Sequence, residues 1–512
     1  MKGSELFVKT ALAAGVEVCF SNPGTTEMPI VAAFDTLPGI RAVLGLFEGV
    51  CTGAADGYGR MTGKPAMTLL HLGPGLANGI ANLTNARRAH TPLLNVVGDH
   101  ASWHRAADAP LTMDVEALTG TVSGWQHTVK SAEEISRYTA DGIGAALRGQ
   151  ISSLIAPYDY LLAESQDEEI FEPQFSFDPV DGDAIDAAAR LLRRDAKSAL
   201  ILGGRALRRR GLQAAARIRA AAGCELVVET FPAHLERGAG LPVLERIPYA
   251  SQQAIDLLSQ YRGVVLAGAR EPVSFFGYDG KSYFLSDEQK RAHIGTDNQD
   301  VVKALEHLAD ALDAPSSVDA GTTLERPELP SGELTAQKAC VTLAALQPEH
   351  AIIVDEGVSS GFAYFPLAAQ APPHSFLNIT SGAIGYGMPC SVGAALACPD
   401  RPVIDLQADG SAMYTVQALW TQARESLDIT TLICSNRSYK FLQIELARSG
   451  STSLGDSARH LTDLEGPTID WPRLSQGLGV PGVSVDTVEG LVRELGRALA
   501  EAGPHVIEMV LE

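Results

Sequence analysis

Short apolar runs recur along the chain, separated by segments of helix length. Residues 66–72, 93–97, 199–202, 264–267, 352–354, 403–406 and 430–434 are nearly continuous in apolar side chains. Strands with one wet face alternate apolar with polar, whereas unbroken runs belong to strands covered on both faces. Their alternation with helical segments predicts an α/β fold of three doubly wound parallel-sheet domains. Two polar, proline-bearing stretches, 164–183 and 314–333, read as linkers, so the expected domains are 1–165, 183–314 and 333–512. Ligands of such sheets bind beyond the carboxyl ends of the strands, and the loops there are where chemistry is sought. The arginine-rich stretch 205–222 reads as a solvated helix face.

Composition narrows the function. The 512 residues, 46% hydrophobic and 20% charged, have the balance of a globular enzyme. A formal net charge of −21 argues against nucleic acid or an anionic membrane as partner, since both attract a basic face. Seven cysteines lie scattered, mostly among apolar neighbours and without a CxxC pair, which fits a reduced, cytoplasmic protein. No apolar run reaches membrane-spanning length, and Glu5, Lys9 and Glu17 interrupt the N-terminal region, so neither a span nor a signal peptide is expected.

Six blocks carry candidate chemistry. Asp409, in Ala408-Asp-Gly-Ser-Ala412, and Asn436, in Leu432-Ile-Cys-Ser-Asn436, are hard oxygen ligands flanking one strand-helix-strand crossover, an arrangement that suits Mg²⁺ carrying a diphosphate. Gly410 permits a sharp turn, and a helix expected from about Thr415 aims its N-terminus at the phosphates. Glu48 ends an apolar strand before a small-residue helix containing Ala55-Asp-Gly-Tyr-Gly-Arg60, where a carboxylate is partly desolvated. His71 lies in Leu70-His-Leu-Gly-Pro-Gly-Leu-Ala-Asn78, and Thr25 in the turn-rich Asn22-Pro-Gly-Thr25. The Gly/Ser loops at Asp355–Ser360 and at Asn378–Pro389 offer backbone N–H groups and hydroxyls to phosphate oxygens. No GxGxxG follows a strand with an acidic residue about twenty positions on, which argues against a nucleotide-binding dehydrogenase.

Together these blocks resemble the thiamine-diphosphate-dependent 2-oxo acid decarboxylase and acetolactate synthase family, and the N-terminal block is most similar to benzoylformate decarboxylase. The resemblance implies pyrimidine-binding, middle and diphosphate-binding domains in that order. It places Mg²⁺ on Asp409, Asn436 and the carbonyl of Ser438. It places the cofactor against Gly357, Ser359, Ser360, Gly382, Gly410 and Ser411, with Ile384 wedged between its two rings and Glu48 bonded to its aminopyrimidine. Glu48 is then the leading catalytic residue, because a carboxylic acid there tunes the cofactor that carries the reaction. Thr25 stands where benzoylformate decarboxylase has its substrate-binding serine, and His71 where it has an active-site histidine suited to proton transfer.

The chain also departs from the pattern. Ala408 replaces the first glycine of Gly-Asp-Gly, and Ser435-Asn-Arg437 replaces the common Asn-Asn-Gly. Where benzoylformate decarboxylase has a second histidine, Phe275-Phe-Gly-Tyr-Asp279 aligns Phe276, which removes a proton-transfer group and leaves room for carboligation to an aldehyde or second oxo acid. His100 and His104 read as loop-surface histidines and Arg437 as a phosphate contact or a surface charge. The resemblance implies that cofactor-binding loops pair across a subunit interface, so a homodimer at minimum is expected, with the homotetramer as the family's usual state. Acetolactate synthase is the alternative activity, although the middle domain shows no FAD signature and FAD is not expected. A non-catalytic, cofactor-binding relative is the remaining alternative.

Overall fold

Each apolar run named above is a strand. In the computed structural model, which describes all residues except 195–196, 278–279, 297, 320 and 449–454, eighteen strands are defined among the described residues. The first six are β1 (Val18–Ser21), β2 (Arg41–Leu44), β3 (Ala66–His71), β4 (Leu93–Asp99), β5 (Trp125–Thr128) and β6 (Ile151–Pro157). They form one sheet in the order β2-β1-β3-β4-β6-β5, parallel throughout. All seven residues of β4 and of β6 are buried, as expected for strands with helices on both faces.

The next strands are β7 (Ser198–Leu202), β8 (Glu225–Val228), β9 (His234–Arg237), β10 (Glu245–Arg246), β11 (Gly263–Ala267) and β12 (Lys290–Ile294). Five of them pair in parallel in the order β10-β8-β7-β11-β12. The last six are β13 (Ile352–Glu356), β14 (His374–Asn378), β15 (Val403–Ala408), β16 (Ile429–Ser435), β17 (Gly482–Val485) and β18 (His505–Val510). Here β17-β18-β16-β15-β13 run side by side in that order, and β9 pairs antiparallel with β14.

The chain is thus α/β with three doubly wound sheets. By contacts it divides into two compact units. The first comprises 1–175, 327–367 and 379–512 and holds the first sheet and the β17-to-β13 strands; the second comprises 176–326 and 368–378 and holds the β10-to-β12 sheet with the β9/β14 pair. In the second unit the helix Arg209–Ala222 does present a solvated arginine face, with Arg210 paired to Glu306 at 2.8 Å and Arg217 to Asp310 at 3.1 Å. Arg205 lies outside that helix, in the turn Gly204–Leu207, over the Phe177 ring.

Within the first unit the helix Glu48–Thr62 crosses the helix Gly387–Ala397 with backbones in contact. A Cβ on Gly57 would overlap the carbonyl of Cys390, and one on Gly393 the carbonyl of Ala54. Only glycine permits that approach. The small residues that mark this helix in the sequence are therefore there for packing. The helix expected from about Thr415 spans Ala418–Arg424 and is led in by a turn in which the Ala418 N–H donates to the Thr415 carbonyl at 2.9 Å. A separate turn, Asp409–Ala412, directly follows β15, and the Thr415 hydroxyl donates to the Gly385 carbonyl at 3.0 Å.

Candidate cofactor and substrate site

Ala408 and Cys434 are register partners in β15 and β16, so the residues that follow these neighbouring strands emerge side by side. Asp409 is 3% exposed; its carboxylate accepts the Gly410 N–H at 2.8 Å and the Arg437 N–H at 2.7 Å. Asn436 Oδ1 accepts the Ser438 N–H at 3.0 Å, and Asn436 Nδ2 reaches Ser360 Oγ at 3.4 Å. Burial pushes the Asp409 carboxyl up to about 6, and Glu508 adds repulsion. A buried carboxylate held only by N–H donors, beside an amide oxygen, is a donor set that fits a hard cation.

Ile384 sits in a loop whose backbone is pinned on both sides. Gly382 and Gly385 have φ of 81° and 90°, which non-glycine residues rarely adopt. The Ala383 carbonyl accepts Asn85 Nδ2 at 2.8 Å, and the Gly385 carbonyl accepts Asn82 Nδ2 at 3.0 Å. Glu356, at the end of β13, accepts the N–H groups of Gly385, Tyr386 and Gly387 at 2.7, 2.9 and 2.6 Å. Burial pushes its carboxyl up to about 7, and raises Asp405 nearby, with Glu356 and Asp355 adding to the effect.

Glu48 is the first residue of its helix and 8% exposed. Its carboxylate accepts Asn78 Nδ2 at 3.0 Å. Asn78, Asn82 and Asn85 lie on one face of the helix Leu72–Arg88, at i, i+4 and i+7. Asn82 also donates to the Gly49 carbonyl at 2.8 Å, so this face joins the start of the Glu48 helix to the Ile384 loop. Deeper in the same packing, Arg60 is buried with Asp56 at 2.5 Å and donates to Tyr386 Oη at 2.8 Å. Burial opposes the Arg60 charge, but Asp56 more than offsets it and the guanidinium is held above its ordinary value.

His71 ends β3, and its Nδ1 lies 2.8 Å from Glu27 Oε2. Glu27 is wholly buried and also accepts the Gly24 N–H at 2.8 Å and the Thr26 hydroxyl at 2.5 Å. The hydroxyl that approaches His71 is that of Thr26, 3.2 Å from Nδ1; Thr25 is exposed in the turn Thr25–Glu27. Of the nine non-glycine residues with positive φ among the described residues, three lie at the same places. Leu72, Val358 and Arg437 are non-glycine residues at φ of 52°, 47° and 55°, next to His71, Gly357 and Asn436. Such conformations cost about 1–3 kcal/mol each and concentrate at functional sites.

The other expected residues are placed as follows. Gly357 and Ser360 are buried in the turn after β13, with Ser359 half-buried between them. Gly410 and Ser411 are buried in the turn at Asp409, and Ser411 Oγ accepts Gln407 Nε2 at 2.7 Å. His100 follows β4, with its ring edge-on to His104 at 5.6 Å. Phe276 belongs to the second unit, half exposed and edge-on to Phe275 at 4.9 Å; Tyr278 and Asp279 lie outside the described residues. Sequence reasoning missed Glu27, Thr26, Asn82, Asn85 and Glu356. Only the asparagines had a signal, a polar stripe at helical spacing inside a small-residue helix.

Buried carboxylates and amides at adjacent strand ends of a doubly wound sheet suit an enzyme that holds a phosphorylated cofactor. Residues 1–122 match the thiamine pyrophosphate enzyme N-terminal TPP binding domain, and residues 356–509 the C-terminal TPP binding domain of the same enzymes. A Mycobacterium tuberculosis protein provisionally named as an acetolactate synthase large subunit, IlvX, is 46% identical over 100% of this chain and 99% of its own. Benzoylformate decarboxylase of Pseudomonas aeruginosa is 28% identical over 97% of this chain and 96% of its own. The solved thiamine diphosphate-dependent 4-hydroxybenzoylformate decarboxylase of Rhodococcus jostii RHA1 superposes with a TM-score of 0.86 at 26% identity, covering 100% of this chain and 99% of that one. The chain belongs to the thiamine pyrophosphate enzymes, in the group of 2-oxo acid decarboxylases and acetolactate synthases, and it is a lyase or carboligase using thiamine diphosphate. No helix among the described residues is long and apolar enough to cross a membrane.

Proposed function

We propose that the protein decarboxylates a 2-oxo acid with thiamine diphosphate and Mg²⁺. The observation that carries this reading is the placing of Asp409 and Asn436 at neighbouring strand ends, with the N–H of Arg437, next to Asn436, donating to the Asp409 carboxylate. Asp409, Asn436 and the Ser438 carbonyl would hold the cation. Gly357, Ser359, Ser360, Gly382, Gly410 and Ser411 would face the cofactor, and Ile384 would set the angle between its rings. Bound thiamine diphosphate supplies the nucleophilic carbon and the electron sink for loss of CO₂. Glu48 would bond its pyrimidine ring, with Asn78 fixing the carboxylate from the other side. His71 would exchange a proton with the reacting carbon, since Glu27 holds Nδ1 and leaves Nε2 free to act. Thr25 would border the substrate.

Carboligation is a second outcome of the same chemistry. It is supported by the lack of a proton donor at Phe276 and by the name of the 46%-identical relative. Pairing of sites in a homodimer or homotetramer, and the domain boundaries at the two linkers, belong to the same proposal. A panel of 2-oxo acids, scored for CO₂ release and for the mass of new carbon–carbon products with thiamine diphosphate and Mg²⁺ added, tests it. Glu48→Gln should bind cofactor and lose turnover; decarboxylation at the parent rate would overturn the assignment.

A further inference from the structure

We propose that Glu356 is the positioning residue for the loop that carries Ile384, and that it ties this loop to the turn at Asp409. The inference rests on the reading of Ile384 as the residue that sets the cofactor's shape. Helices leave their first N–H groups without a partner inside the helix, and the start of Gly387–Ala397 is buried, where an unmade bond is costly. One carboxylate from a different strand takes Gly385, Tyr386 and Gly387 together. Three bonds at 2.6–2.9 Å from consecutive residues to the two oxygens of one buried carboxyl group restrain the segment.

The fit is shaped for this purpose. A Cβ on Gly387 would overlap Gln407 Oε1 and stand 2.7 Å from Asp405 Oδ1, so only glycine brings the segment onto the carboxylate. Glu356 Oε2 also accepts Gln407 Nε2 at 3.0 Å, and the same nitrogen reaches Ser411 Oγ at 2.7 Å. A continuous path therefore runs from the Ile384 loop through Glu356 and Gln407 to the helical turn that begins at Asp409. On the far side Asn82 and Asn85 fix the carbonyls of Gly385 and Ala383. Ile384 is held at both flanks, and of these restraints Glu356 alone also reaches the Asp409 turn.

The test compares the parent with Glu356→Gln, whose amide presents one oxygen and turns two donors toward the loop. Hydrogen–deuterium exchange without cofactor should be at least tenfold faster over residues 382–390 in the variant and unchanged over β4. The Kd for thiamine diphosphate with Mg²⁺ should rise about tenfold, and at saturation the near-ultraviolet circular dichroism of the bound cofactor should change. Unchanged exchange, or an unchanged spectrum and affinity, overturns the proposal. If the variant does not fold, the parent decides: the amides of Tyr386 and Gly387 must exchange slowly, and rates typical of open first-turn amides refute the clamp. Ile384→Ala separates the two readings. An unaltered cofactor spectrum in that variant rejects the role of Ile384, while the exchange result still judges Glu356.

Discussion

Glu27 Oε2 lies 2.8 Å from Nδ1 of His71, and this pairing joins two turns that are 44 residues apart in sequence. The carboxylate, buried and bonded on its other sides by Gly24 and Thr26, orients the imidazole and places the ring proton on Nδ1. Replacing Glu27 by Gln should lower kcat for decarboxylation by about tenfold to a hundredfold, part of the roughly hundredfold to ten-thousandfold that positioned proton transfer contributes. If the two residues act as one unit, His71→Ala combined with Glu27→Gln will be no slower than His71→Ala alone. Steady-state kinetics of the two single variants and the double variant check this, and additive losses would show that Glu27 acts elsewhere.

The contrast between Glu27 and Asp409 shows what the sequence discloses. Asp409 and Asn436 are legible because each directly follows an apolar strand, and strand order sets them side by side. The strands themselves were legible because burial on both faces leaves unbroken apolar runs. Glu27 has no such context. It follows a turn, and only the fold brings β3 and its His71 to it. Glu356 was passed over for a related reason: it ends β13 between Asp355 and Gly357 as any strand-end carboxylate might, and the N–H groups it takes lie 29, 30 and 31 residues away. Thr26 was passed over beside Thr25, because the sequence does not show which of two adjacent hydroxyls a short 3₁₀ turn brings to the His71 ring.

Glu356 should leave a signature in the pH dependence of stability. Its carboxyl ordinarily titrates near 4.5 and burial pushes it up to about 7, so between these values the folded chain keeps a proton that the unfolded chain has released. Stability from this group is therefore complete below about pH 4.5 and is lost as pH rises toward 7, by an amount on the order of 3 kcal/mol. Glutamine does not titrate. Denaturant melts of the cofactor-free parent and Glu356→Gln should thus show the parent losing ground to the variant between pH 5 and 7, with a constant difference above pH 8. A difference independent of pH would mean that Glu356 titrates normally.

The crossing of the helices Glu48–Thr62 and Gly387–Ala397 predicts a sharp steric contrast. Gly57→Ala drives a methyl into the Cys390 carbonyl and should destabilise the protein by about 3 kcal/mol, as overpacking of a rigid contact does. Gly496, in the helix Val488–Ala498, has nothing within 4 Å of an added Cβ. Gly496→Ala should stabilise by up to about 1 kcal/mol, through helix propensity alone. Thermal melts of the two variants should shift in opposite directions.

Asp409 should trade stability for ligand binding. In the ligand-free protein its carboxylate is buried, accepts the Gly410 and Arg437 N–H groups, and is pushed up by burial to about 6. Asp409→Asn keeps an oxygen for one of the two N–H donors and removes the buried charge, so the ligand-free variant should melt no lower than the parent, and higher above pH 6, where the parent's carboxyl is ionised. The same change removes the anionic ligand of the proposed Mg²⁺ site. Added thiamine diphosphate and Mg²⁺ raise the melting temperature of any form that binds them, in proportion to the logarithm of concentration over Kd. That rise should be present in the parent and absent from Asp409→Asn at the same concentrations. A variant that melts lower without ligand yet keeps the full ligand-induced rise would place the metal on other residues.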